Sequence, residues 1–191
     1  MRMGFPDPKR TRSATDKFTK ERTYVRNLTL LDLEACVALE EAAFITSERC
    51  PRETFSYRLK VCPELCFGIF TIRRNKEYLL GHAIATKTLS PSVTESSMAV
   101  ATPRHSPHNP AGPTIALHSF AIQPTHQGRY LGTTLLQEYI RRMIMGGCVQ
   151  RIALIARDRL AGFYERFGFR CRGVSSVKFG GGEWMDLVLD F

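Results

Sequence analysis

No run of apolar residues in this chain approaches the roughly 20 that a membrane-spanning helix needs. The opening stretch MRMGFPDPKRTRS lacks the apolar core of a secretory signal, and no glycine follows Met1 for myristoylation. A cytoplasmic protein with no membrane association is the expectation. Cysteine occurs at Cys36, Cys50, Cys62, Cys66, Cys148 and Cys171, but the spacing of a metal site is missing. Cys62 and Cys66 form a C-x3-C pair with no second Cys or His pair at zinc-finger distance, so no metal is expected. Reduced thiols serving as small hydrophobes fit these positions. Acidic residues are also short, 18 against 27 Lys and Arg, for a net charge of +9. More than half of that excess lies in residues 1–26, where Arg2, Lys9, Arg10, Arg12, Lys17, Lys20, Arg22 and Arg26 face only Asp7, Asp16 and Glu21. The remainder suits a polyanionic cofactor at least as well as a nucleic acid, and no nucleic-acid partner is expected.

What is there is a globular composition. A chain of 191 residues with 43% hydrophobic content is long enough for one domain with a sizeable core. Residues 1–21, with Pro6, Pro8 and the basic run, read as a flexible tail, and residues 22–191 as the domain. Arg10-Thr11-Arg12-Ser13 in the tail offers a basic-directed kinase a substrate, and through it a phosphorylation-dependent partner.

Thr23 to Leu28 alternates as a strand. Thr29 and Asp32 then stand as caps for a helix with Leu33, Cys36, Val37, Glu40 and Phe44 at helical spacing. Pro51 starts a second helix and Pro63 ends it. Leu65–Ile72 and Tyr78–Thr88 predict a hairpin. Residues 89–113, rich in proline and serine, predict a long loop with one helical turn near Thr94–Met98. Arg151–Ala156 predicts a short strand, Leu160–Phe167 a short helix stopped by Gly168, and Phe169–Val174 and Glu183–Leu189 the last strands. The order is mixed α/β, with parallel pairing only where a crossover permits it.

Ala116 to Ile140 is the stretch that points to chemistry. Leu117, Phe120 and Ile122 make a strand, Gln123 to Gly128 a polar turn, and Leu131, Leu135, Leu136 and Tyr139 the stripe of a helix. The first amides of a helix are free, and its dipole adds roughly half a positive charge there, so this is an anion site. His118 lies in the strand that feeds it.

Four stretches together resemble the GCN5-related N-acetyltransferase superfamily, and within it the arylalkylamine N-acetyltransferase group, including fungal polyamine-acetylating members. They are Glu41-Ala42-Ala43-Phe44 with Cys50-Pro51, Cys62-Pro63-Glu64-Leu65, Ala116 to Leu136, and Gly162-Phe163-Tyr164-Glu165-Arg166-Phe167-Gly168-Phe169. The resemblance implies a mixed central sheet with a parallel βαβ part, flanked by helices. It implies acetyl-CoA as co-substrate and a small primary amine as acceptor, an arylalkylamine or a di- or polyamine.

In that likeness the strand at Phe120, Ala121 and Ile122 meets the pantetheine arm. The segment Gln127, Gly128, Arg129, Tyr130, Leu131, Gly132 and Thr133 holds the pyrophosphate. His118 is the base and Tyr164 the acid that protonates the leaving thiolate. Phe44, Pro51 and Ile155 line the amine site. The sequence departs from the group at two positions: Ala116 replaces the first of two alternating histidines, and Tyr130 replaces the first glycine of the loop. A polyamine would need carboxylates for its distal charge, for which Glu48, Glu53 and Glu95 are candidates. A non-catalytic acyl-CoA-binding module and a protein or peptide amino-group acetyltransferase are the alternative readings.

Overall fold

The computed structural model describes residues 22–147 and 149–191. The stretch expected to be a tail, with Arg10-Thr11-Arg12-Ser13, lies outside these residues. Strands β1 (Thr23–Asn27), β2 (Phe67–Arg73), β3 (Lys76–Thr88), β4 (Thr114–Ile122), β5 (Arg151–Ala156), β6 (Arg170–Val174) and β7 (Met185–Asp190) form a sheet in the order β1-β2-β3-β4-β5-β7-β6. Every pairing is antiparallel except β4 with β5, the one pair joined through a helical crossover. The helices are α1 (Leu33–Ala43), α2 (Arg52–Val61), α3 (Glu95–Met98), α4 (Leu131–Gly146) and α5 (Asp158–Glu165). This is the mixed α/β architecture that the element order predicts. Sequence order does not show that β7 inserts between β5 and β6.

The local rules act where the residues place them. Thr29 and Asp32 form a capping box ahead of α1. The helix stops at Ala43, and Phe44 is extended rather than helical, which turns its ring out of the α1 stripe. In the long loop, Thr94 caps the single turn of α3. Helix α5 sits two residues earlier than its apolar pattern suggests, and Gly168, at φ +92°, follows its end.

The core forms on both faces of the sheet. Helix α4 buries Leu135, Leu136, Tyr139 and Met143 on one face, with Phe67, Ile69 and Leu80. The Tyr139 hydroxyl donates to the Leu65 carbonyl at 3.1 Å, which satisfies its one buried polar atom. Helices α1 and α2 cover the other face with Leu33, Cys36, Leu39, Phe55 and Leu59. The five described cysteines are free thiols, and Cys36, Cys62 and Cys66 are buried among apolar neighbours.

Candidate active site

The sheet opens between β4 and β5. The two strands pair from Thr114 with Arg151 to Leu117 with Leu154, and β4 then runs on to Ile122 without β5 beside it. The edge of β4 from His118 to Ile122 is therefore bare toward a cleft of about 1260 Å³. A bare strand edge is a template for another extended, amide-bearing chain.

At one end of the cleft stands the start of α4. No side chain caps it. Its first internal bond is Thr134 N–H to the Tyr130 carbonyl at 2.9 Å, so the amides of Leu131, Gly132 and Thr133 have no partner within the helix. All three residues line the cleft, as do Gln127, Gly128 and Tyr130. Uncapped amides at the positive end of a 16-residue helix suit an anion such as a pyrophosphate. The Gln127 side chain donates to the Ile122 carbonyl at 3.1 Å and ties the loop to the strand. Arg129 is exposed and lies outside the lining.

Tyr130 occupies the left-handed region at φ +62° and ψ 7°, a conformation that glycine adopts without strain. Its side chain is 81% exposed. The conformation costs a residue with a Cβ about 1–2 kcal/mol. Tyr130→Gly is therefore expected to stabilise the fold by about 1 kcal/mol, offset in part by unfolded-state entropy. A denaturant midpoint that does not rise would show that the strain is relieved elsewhere. At Gly132 an added Cβ would meet only ordinary contacts, the shortest 3.6 Å to Ile122, so alanine would fit.

His118 sits where β4 bulges. Ile84 pairs with Ser119 and Ala85 with Leu117, which leaves His118 as the extra residue. A bulge re-aims a side chain, and here it breaks the alternation along the strand. The His118 ring lines the cleft, with Nε2 2.8 Å from the Thr86 hydroxyl and Nδ1 3.2 Å from the Met98 sulfur. Burial holds its pKa well below the ordinary histidine value, so the ring is neutral at pH 7. Ala116 is buried in a small cluster with Val93, Ala153, Val177 and Val188.

Tyr164, on α5, packs edge-on against Phe120, Phe163 and Phe169 and also lines the cleft. Burial raises its pKa, so the phenol keeps its proton. Phe44 and Ile155 line the same cleft, whereas Pro51 lines an adjoining cavity of about 440 Å³. The two cavities share Glu40, Glu48, Met98, His118 and Phe179.

Two clusters extend the site beyond the residues predicted from sequence. The first is buried under His118. Glu40 accepts hydrogen bonds from the Cys50 amide at 3.0 Å and the Ser119 hydroxyl at 2.7 Å, and His82 Nε2 lies 3.2 Å from it and 2.8 Å from Ser119. A carboxylate on the apolar stripe of α1 is the sequence signal that marks it. The second cluster lines the cleft just past the end of β5. Arg157 pairs with Glu48, donates to the Glu183 carbonyl at 3.0 Å and lies 4.2 Å over the Trp184 ring. The loop at Ser47–Glu48 is so close to Gly180 that a Cβ there would meet the Ser47 carbonyl at 2.8 Å. Arg157 follows the apolar strand Arg151–Ala156, and nothing in its sequence setting signals this role.

A bare strand edge running into an uncapped helix start, with a histidine and a phenol between, makes a cleft suited to an extended, amide-bearing molecule with an anionic end. The chain belongs to the acetyltransferase (GNAT) family, whose sequence profile matches residues 33–169. It is 31% identical to the serotonin N-acetyltransferase of Mesocricetus auratus over 85% of this chain and 74% of that protein. The fold is that of the loading GNATL domain of CurA from Lyngbya majuscula, with a TM-score of 0.72 at 14% identity over 88% of this chain and 98% of that domain. A GNAT family acetyltransferase from Brucella melitensis in complex with acetyl-CoA superposes with a TM-score of 0.56 at 16% identity, over 90% of this chain and 89% of that one.

Proposed function

We propose that the protein transfers acetyl from acetyl-CoA to a small primary amine, an arylalkylamine or a di- or polyamine, by direct attack in a ternary complex. The observation that carries this reading is the cleft itself. One end offers bare strand edge and free helix amides, and the other is an aromatic-walled pocket beside a neutral imidazole. The relatedness to a serotonin N-acetyltransferase supports an arylalkylamine. The bridge from Glu48 through Arg157 to Trp184 favours a small acceptor over a peptide, because it walls off the amine end where a polypeptide would have to lie.

The residues fit the co-substrate. The edge of Phe120, Ala121 and Ile122 would pair with its pantetheine arm, and the amides of Leu131 to Thr133 would hold its pyrophosphate. The thioester supplies an acetyl carbon open to attack. In the transfer a C–N bond forms and a C–S bond breaks. The Thr86 hydroxyl takes the proton the amine loses as it passes its own to His118 Nε2, 2.8 Å away, and then accepts from the resulting N–H. Tyr164 gives its proton to the departing thiolate.

CoA release across tryptamine, phenylethylamine, putrescine, spermidine and a histone peptide tests the proposal. Turnover of none of the small amines would leave the acyl-CoA-binding module as the better reading. His118→Ala is expected to lower kcat by about tenfold to a hundredfold while CoA binding survives, because water reaches the same proton. Since burial depresses the His118 pKa, the wild-type acid limb of kcat should fall below pH 6.5, the ordinary histidine value. That limb should vanish in His118→Ala. A limb that persists would assign the proton to another group.

A further inference from the structure

The smaller cavity holds a charge that nothing balances at close range. Arg58, on α2, is 2% exposed. Its guanidinium lines the cavity, and its one side-chain contact among the described residues is Nη1 to the Cys50 sulfur at 3.6 Å. Burial pushes the Cys50 thiol up to about 12, so that thiol carries no counter-charge at pH 7. Among the described residues no carboxylate lies within ion-pair distance of Arg58. One turn earlier Thr54 faces the same cavity, and its hydroxyl is buried without a partner. Buried arginines are almost never left unpaired, because the guanidinium keeps its charge at any ordinary pH and its burial is costly.

The carboxylates of the cavity are in the opposite condition. Glu48 is held by Arg157, Glu95 accepts the Lys178 amide, and Glu40 is bonded to Cys50, Ser119 and His82. Glu53 lines neither cavity. Each of these carboxylates already accepts at least one hydrogen bond, whereas the Arg58 guanidinium has only the Cys50 sulfur and the Thr54 hydroxyl has no partner. A second ammonium in the cavity would have to sit beside the guanidinium.

We propose that the cavity of Arg58 and Thr54 binds the far end of the substrate, and that this end carries an oxygen acceptor rather than a second ammonium. This rests on the amine acetylation proposed above. The cavity adjoins His118 and Glu40, so an amine placed beside His118 reaches it past Pro51 and Met98. Its volume of about 440 Å³ suits a short chain or one ring. The five donors of a guanidinium match a carboxylate in two-point fashion and also serve a hydroxyl.

The test is kcat/KM for four amines of one length: pentylamine, 5-aminopentanol, 5-aminopentanoate and cadaverine. In the wild type one or both oxygen-ended amines should exceed pentylamine and cadaverine by about tenfold, the scale of one charge-assisted hydrogen bond. The hydroxyl and carboxylate arms show which oxygen the cavity takes. Arg58→Met should collapse that ratio and raise Tm, because a buried unpaired charge has been replaced by an apolar chain of similar length. Thr54→Val should reduce the ratio in part. Preference for cadaverine, or a ratio that survives Arg58→Met, overturns the proposal. Calorimetric binding of the same amines in the presence of CoA separates it from the acetylation reading. Oxygen-dependent binding that is lost in Arg58→Met, with no turnover, keeps the cavity and removes the acetylation. Turnover without oxygen-dependent binding does the reverse.

Discussion

Tyr164→Phe is expected to lower kcat by about a thousandfold and to leave the KM for acetyl-CoA close to that of the wild type, within the range of general acid effects. The substitution removes one oxygen and keeps the ring among Phe120, Phe163 and Phe169, so packing is held constant while the proton is removed. Burial raises the phenol's pKa, so it holds its proton throughout the neutral range until a thiolate forms beside it. The same desolvation strengthens the departing thiolate as a base, and that is what lets it draw the proton. Steady-state CoA release measures the effect. If kcat is unchanged, Tyr164 belongs to the core and water protonates the thiolate.

Glu40→Ala should destabilise the fold by about 3 kcal/mol or more, the scale of breaking one member out of a buried polar group. Glu40 collects the Cys50 amide, the Ser119 hydroxyl and the fully buried His82, drawn from a loop and two strands. Truncation removes the acceptor of the Cys50 amide and the Ser119 hydroxyl and leaves His82 with Ser119 alone. His82 Nδ1 already lacks a partner, so the ring has no second protein bond to fall back on. Urea unfolding reads the loss as a lower midpoint. Glu40→Gln, which keeps one acceptor oxygen, should recover part of it. A loss below about 1 kcal/mol would mean that the neighbours rearrange to bond one another, the ordinary worth of a single hydrogen bond.

The parts of the molecule that were legible in the sequence are those set by near neighbours along the chain. The stripe of α4, the capping box of Thr29 and Asp32, and the stop at Gly168 each depend on residues within about one or two turns. The candidate site was legible through its β4–α4 passage, and most of the residues singled out there share one cleft. What escaped depends on distance. His82 and Glu40 are 42 positions apart, and Glu48 and Arg157 are 109 apart. The bulge at His118 is a registration event between two strands, and no residue type in either one announces it. Tyr130 shows the opposite case. A left-handed position normally announces itself by glycine, and here a tyrosine conceals it. Arg58 reads as one more helix charge until α2 is packed and the guanidinium is found inside.

The gap between β4 and β5 also bears on how long the molecule persists. A sheet whose two middle strands part is incomplete, and whatever pairs in the opening acts as a removable part of the fold. Under mass action, a ligand at a hundredfold excess over its Kd adds about 2.7 kcal/mol to stability. That is a large share of the roughly 5–15 kcal/mol that holds a typical domain together. On the function proposed here, acetyl-CoA is both the reagent and a structural tenant. The amount of intact enzyme then rises and falls with the metabolic supply of acetyl groups, before any question of rate.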